Sequence, residues 1–199
     1  MTERELVRSA QKGDDGAFEA LVRSYEKRVY HLALRMCGNA EDAYEVAQEA
    51  FLCAWRGLRF FRGESSFSTW IYRLTSNAAI DFIRRRRRQG GGESVSLDDE
   101  DIFLEVADPA PSPHQQAERL ELREAVAQGL AALSPEHRQV LLLRELQGMS
   151  YEEIAACLDL DLGTVKSRIA RGREKLRKYL IASGNFSSYL PSNLTEKEG

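Results

Sequence analysis

Residues 89–113 break every periodic pattern in the chain and divide it into two parts that must fold around separate cores. Three glycines, Gly90, Gly91 and Gly92, precede a run from Glu93 to Asp108 that holds seven carboxylates and no Lys or Arg. Pro109, Pro111 and Pro113 follow. This composition can neither continue a helix nor bury an apolar face, so it reads as a flexible acidic linker. Fully extended, 25 residues reach about 80 Å. The two parts can therefore sit well apart.

On either side of the linker the apolar residues recur at helical steps, and no stretch alternates as a strand would. Thr2 and Glu5 have the spacing of a capping box for a short first helix. Phe18, Leu21, Val22, Tyr25, Val29, Leu32, Ala33 and Met36 mark a long amphipathic helix that ends at Gly38. Asn39 can cap the next, with Ala43, Val46, Ala47, Ala50, Phe51, Ala54 and Leu58 facing inward. After a loop over 59–66, Phe67, Trp70, Ile71, Leu74 and Ala78 start a helix that runs into five consecutive arginines, Arg84 to Arg88. Beyond the linker, Leu120, Leu122, Val126, Leu130 and Leu133 define one helix and Ser134-Pro135 opens another over 136–147. The fold class is all-α, with two small helical domains over 1–88 and 114–182 and a disordered tail over 183–199.

Ser150 to Tyr179 carries the sharpest functional signal. Ser150 and Glu153 form a second capping box ahead of Ile154, Ala155 and Leu158; residues 159–163 read as a turn, and Val165, Ile169 and Leu176 anchor a second helix. From Thr164 to Tyr179 that helix bears seven cations and one carboxylate, Glu174. Two short helices around a tight turn, the second one basic, describe a helix-turn-helix whose second helix enters a major groove. Taken alone, a charge run is more often a solvated face; the turn and cap favour DNA. The formal net charge of −3 does not oppose this, because the acidic linker masks two locally basic surfaces.

No apolar run approaches the roughly 20 residues needed to span a bilayer, and the N-terminus lacks a signal-peptide pattern, which predicts a cytoplasmic protein with no membrane insertion. Cys37, Cys53 and Cys157 lie in apolar helical patterns without CxxC spacing or a histidine nearby, so buried free thiols are expected, with no metal and no cofactor. His31, His114 and His137 have no acid or thiol partner in sequence, and Gly90–Gly92 do not make a phosphate loop; an enzyme is disfavoured. On the helix after Asn39, Glu45, Gln48, Glu49 and Leu52 form one stripe opposite the core face, an exposed leucine among polar groups that suits a protein partner. The aromatic and arginine-rich segment 60–88 suits single-stranded nucleic acid, although Phe67 and Trp70 are better read as core.

Three segments in this order, EDAYEVAQEAFLCAW (41–55), FRGESSFSTWIYRLTSNAAIDFIRR (61–85) and LRELQGMSYEEIAACLDLDLGTVKSRIARGREKLR (143–177), resemble the sigma-70 family of bacterial RNA polymerase sigma factors, in particular the two-domain extracytoplasmic-function group. The resemblance covers nearly everything but linker and tail. It implies that Glu45, Gln48, Glu49 and Leu52 dock on the clamp helices of the polymerase beta-prime subunit. It implies that Asn77, Asp81 and Arg84 contact the minus-ten element of promoter DNA, while the loop residues Arg62, Gly63, Ser65, Ser66 and Phe67 hold a flipped non-template base. In the second domain it implies that Arg144 contacts a phosphate, that Lys166, Ser167, Ala170 and Arg171 face minus-thirty-five bases, and that Arg168 and Arg173 contact the backbone, with Thr164 at the groove-facing helix start. An anti-sigma factor is implied as a further partner. Glu45 stands where many relatives have Asp, Leu162 where proline is common, and Ala170 where some have a larger residue, so the promoter sequence cannot be borrowed. The rival reading is a dimeric helix-turn-helix regulator that works without polymerase.

Overall fold

A computed structural model describes residues 1–90 and 113–183. The linker and tail expected from the sequence lie, apart from Gln89, Gly90, Pro113 and Ser183, outside the described residues. Among the described residues eight α-helices appear in order: α1 (Glu3–Gln11), α2 (Asp15–Cys37), α3 (Ala40–Gly57), α4 (Phe67–Arg88), α5 (Pro113–Ala131), α6 (Pro135–Glu145), α7 (Tyr151–Leu158) and α8 (Leu162–Ala182), with a 3-10 turn at Leu58–Phe60. No strand occurs among the described residues, and none of the described helices is long and apolar enough to cross a membrane.

Local chemistry sets the helix ends of the first domain. Thr2 and Glu5 complete the capping box of α1, the Asp14 carboxylate accepts from the Ala17 amide at 3.1 Å, and Asn39 caps α3 by accepting from the Asp42 amide at 2.9 Å. Gly38 closes α2 at φ +86°, a left-handed angle that costs a residue with a Cβ. The α2, α3 and α4 faces then meet: Val29, Leu32, Ala43, Ala50, Ala54, Ile71 and Ala79 are all fully buried. The small residues on α3 let its neighbours approach closely. Phe67 is buried and Phe61 stacks on Trp70 with ring centroids 4.8 Å apart, so the expected core role of Phe67 and Trp70 holds. An ion pair between Arg86 and Asp42 ties the end of α4 to the start of α3.

The second domain packs α5 and α6 against α8. At Gly172 a Cβ would stand 2.9 Å from Leu141 Cδ1, and at Gly129 it would stand 2.6 Å from Leu176 Cδ1; glycine is what lets these helices cross so closely. The Ser150 hydroxyl accepts from the Glu153 amide at 3.0 Å while the Glu153 carboxylate accepts from the Ser150 amide at 2.7 Å, completing the second capping box. The turn between α7 and α8 is shorter than the expected 159–163: Asp159 sits at φ 54° and ends α7, and the Asp161 carboxylate accepts from the Thr164 amide at 2.7 Å, which draws Leu162 and Gly163 into α8. Leu120, expected on the packed face of its helix, is 52% exposed. Helix α6 stops at Glu145 rather than 147, because Gly148 turns at φ +69° and the Met149 amide bonds back to the Leu143 carbonyl.

The two domains are in contact. Helix α6 lies against α2 and α4, and α7 against α4. Arg138, 1% exposed, crosses between them: its guanidinium donates to the Met36 carbonyl and, within its own domain, to the Ala131 carbonyl at 2.6 Å. Beside it Gln139 donates to Ser76 Oγ at 3.0 Å and to Asn77 Oδ1 at 3.4 Å. The Cys157 thiol donates to the Thr69 carbonyl at 3.7 Å. Chain reach alone permitted separation; hydrogen bonds to α2 and α4 hold this arrangement together.

Candidate DNA and polymerase interfaces

Helix α8 exposes the residues expected to face DNA bases. Val165 and Ile169 are fully buried, fixing the helix by one face, while Lys166, Ser167, Ala170 and Arg171 are exposed on the other. Thr164 is spoken for in part, since its hydroxyl donates to the Asp161 carboxylate within the cap. Arg168 is half-buried. Arg173 is held by Glu145, with Nε 3.1 Å from the carboxylate, and that partner holds its guanidinium even more firmly protonated. Arg144 donates to the Met149 carbonyl at 2.7 Å and lies 5.1 Å over the Tyr151 ring, so its guanidinium is fixed between α6 and α7. The positive field is visible at His137, whose pKa is lowered by partial burial and then by Lys175 and Arg168.

In the first domain the loop 61–66 turns at Gly63, φ +72°, and hands the chain to α4 through Ser66, whose hydroxyl accepts from the Thr69 amide at 3.1 Å. Arg62, Ser65 and Ser66 are exposed and Phe67 is buried, which makes Phe67 an anchor of the loop and not a surface on which a base can stack. A cavity of about 590 Å³ opens on this loop. Asn77, Asp81 and Arg84 lie one helical turn apart along α4. The second domain reaches two of them: Gln139 bonds Asn77, and Glu136 pairs with Arg84 at 3.2 Å. Both contacts engage groups expected to face DNA.

The α3 stripe is where the sequence put it. Glu45, Gln48, Glu49 and Leu52 are all exposed, Leu52 by 47%. Glu45 and Glu49 border a groove of about 1130 Å³ shared with Asn77, Asp81 and the α4 arginines Arg84, Arg85, Arg87 and Arg88, so the acidic stripe and the basic helix end are neighbours. Tyr44 and Trp55, 64% and 42% exposed, lie on the flank of α3 toward α2, where their rings meet Tyr30 and Phe18. Sequence periodicity could have found them, since each falls off the core stripe.

Other features had no local signal. Gln11 sits 47 and 50 residues before the carbonyls of Leu58 and Phe61 to which it donates, at 3.0 and 2.8 Å. Arg138 and Gln139 look like the polar side of a helix until α2 and α4 cover them. The cysteines divide: burial pushes Cys37 up to about 12 and Cys157 up to about 11, whereas Cys53 is only half-buried and donates to Glu49 at 3.3 Å, a departure from the expectation that all three are buried. No cluster of three or more His, Cys, Asp or Glu side chains able to hold a metal occurs among the described residues.

Comparison with known proteins gives this geometry its context. The sigma-70 region 2 model matches residues 21–89 and the sigma-70 region 4 model matches residues 123–176. RNA polymerase sigma-H factor of Pseudomonas aeruginosa is 38% identical over 180 residues, 89% of this chain and 93% of that protein. The ECF RNA polymerase sigma-E factor of Escherichia coli K12 is 38% identical over 178 residues, 88% of this chain and 93% of that protein. Among solved structures, CnrH in complex with the cytosolic domain of CnrY superposes with a TM-score of 0.65 at 29% identity, over 90% of this chain and 97% of that chain. A dimeric regulator built on the second domain alone would share only one of the two matched regions. With both regions present in order, and likeness running through most of the chain, the protein belongs to the sigma-70 family of RNA polymerase sigma factors, in its extracytoplasmic-function group.

Proposed function

We propose that this chain confers promoter choice on core RNA polymerase in the cytoplasm by dividing the work between two surfaces. The first domain, over 1–88, binds the beta-prime clamp helices through Glu45, Gln48, Glu49 and Leu52. It meets the minus-ten element through Asn77, Asp81 and Arg84, and holds a flipped base with Arg62, Gly63, Ser65 and Ser66. Phe67 anchors that loop from beneath. The second domain, over 114–182, reads the minus-thirty-five element with Lys166, Ser167, Ala170 and Arg171, while Arg144, Arg168 and Arg173 contact backbone and Thr164 starts the helix. The acidic linker between them sets their spacing. No bond is made or broken; melting follows because the first domain prefers the unstacked strand, offsetting a few kcal/mol of lost stacking.

The observation that carries this reading is the exposure of Lys166, Ser167, Ala170 and Arg171 along one face of a helix pinned by Val165 and Ile169. The same reading requires the domains to part, because Gln139 and Glu136 occupy Asn77 and Arg84 in the packed arrangement. An anti-sigma factor, a separate chain, would act by holding the domains together or by covering their faces. Lys166→Ala and Arg171→Ala test the assignment in purified transcription. Each lost bidentate base contact should weaken upstream recognition by about 1–3 kcal/mol. Unchanged transcription in both variants would contradict the recognition-helix reading.

A further inference from the structure

Helix α1 lies outside the residues matched by the region 2 model, which begin at 21, yet it forms one wall of the cavity on the loop 61–67. Its contribution comes from a single face. Glu3, Arg4, Val7, Arg8 and Gln11 recur at the spacing that stacks residues along one side of a helix, and all five line the cavity together with Arg62, Ser65 and Ser66.

These residues do two different things. Gln11 and Glu3 hold the loop at both ends. Gln11 Nε2 donates to the Leu58 carbonyl at 3.0 Å and to the Phe61 carbonyl at 2.8 Å, fixing where the loop begins. The Glu3 carboxylate accepts from the Phe67 amide at 3.3 Å and from the Tyr25 hydroxyl, fixing where it ends. Arg4 and Arg8, one turn apart, are exposed at the rim of the same cavity. Two acids line the same cavity: Glu3, which already accepts from the Phe67 amide and the Tyr25 hydroxyl, and the exposed Glu64, so Arg4, Arg8 and Arg62 leave an excess of positive charge there. A cavity of about 590 Å³ lies in the size range of small-ligand sites, about 300–1,000 Å³. Its rim carries the guanidiniums of Arg4, Arg8 and Arg62 and the hydroxyls of Ser65 and Ser66 against the carboxylates of Glu3 and Glu64, and the surplus of cations fits an anionic ligand such as a nucleotide unit.

We infer that α1 is part of the single-strand DNA site: Arg4 and Arg8 bind the phosphates that flank the nucleotide held by the loop, and Gln11 and Glu3 are positioning residues that keep the loop open to receive it. This inference rests on the reading of the loop 61–67 as a base-holding site. It adds an anion-binding wall that the loop alone lacks.

The test uses the full chain bound to core polymerase and, as probe, the dye-labelled non-template strand of a promoter it transcribes, followed by anisotropy over a range of salt. Arg62→Ala with Ser65→Ala serves as the loop variant. Arg4→Ala with Arg8→Ala should weaken strand binding roughly 3- to 10-fold and should flatten the dependence of log affinity on log salt by about 1.4, at about 0.7 per phosphate contact on a single strand. Binding of the duplex minus-thirty-five element should not change. Gln11→Ala should weaken strand binding with the salt slope unchanged, because it removes no cation. If the loop variant weakens binding while the arginine variant alters neither affinity nor slope, the α1 assignment is wrong and the loop reading stands. If the loop variant also has no effect, the loop reading fails and the α1 inference falls with it.

Discussion

Arg173, proposed above as a backbone contact, shows how a single neighbour can restrain a cation. Its guanidinium is engaged by Glu145 before any phosphate arrives. A phosphate must therefore displace a carboxylate, and Glu145→Gln should free the cation, so duplex binding should tighten without regard to sequence. Filter binding checks this, and unchanged affinity would show that Arg173 does not meet the backbone. The buried thiols give a second prediction. Cys37 and Cys157 hold their protons well above the ordinary value of 9.0 because burial penalises the thiolate. Above that value the unfolded chain releases protons that the folded chain keeps, so the folded state binds more protons and stability falls as pH rises. Urea unfolding should show a decline from about pH 9 to pH 11; Cys37→Ala and Cys157→Ala together should flatten it, and an equal decline in the double variant would contradict the assignment. Over the same range Cys53, half-buried beside Glu49, should be the first cysteine alkylated.

At the scale of the helix, what the sequence revealed and what it hid separate along physical lines. Caps and turns are local chemistry, so Thr2, Asn39 and Ser150 were readable as helix starts and Gly38 as a stop before any packing was known. The recognition helix and the α3 stripe were readable because exposure follows from periodicity once a buried face is identified. The short turn at Asp159–Asp161 was not: whether Leu162 and Gly163 belong to turn or helix depends on Asp161 winning the Thr164 amide, a competition that composition does not resolve. Nor could Gln11 be placed, since its partners come from a turn far along the chain. The capping box of α7 offers a test at this scale. Ser150→Ala removes the bond to the Glu153 amide and should cost about 1 kcal/mol of stability. The cost should also appear in DNA binding, because α7 sets the angle at which α8 is presented; circular dichroism with duplex binding would check both, and a variant as stable as the parent would show the cap to be redundant.

The two domains pack through α5, α6 and α7, and polar contacts from α6 are among those that hold them together. Arg138 and Gln139 reach α2 and α4, and Glu136 reaches Arg84. The sequence allowed two domains at any separation up to the length of the linker, and it could not choose, since both the open and packed forms satisfy the same helical patterns. Replacing Arg138 by methionine removes its bonds to the Met36 and Ala131 carbonyls and should shift the free chain toward separated domains, read as lower energy transfer between dyes on α3 and on the exposed face of α8. Transfer equal to that of the parent would mean that Arg138 does not hold the domains together. In the parent the same loss of transfer should accompany binding to core polymerase and promoter, when Asn77 and Arg84 exchange Gln139 and Glu136 for DNA. All of this depends on the chain giving polymerase its promoter choice, and the most direct measurement is run-off transcription by core polymerase, with and without the purified chain, on a library of genomic fragments. Discrete start sites that appear only with the chain, and share two sequence elements upstream, are the predicted result; transcripts that are the same with and without it would contradict the account.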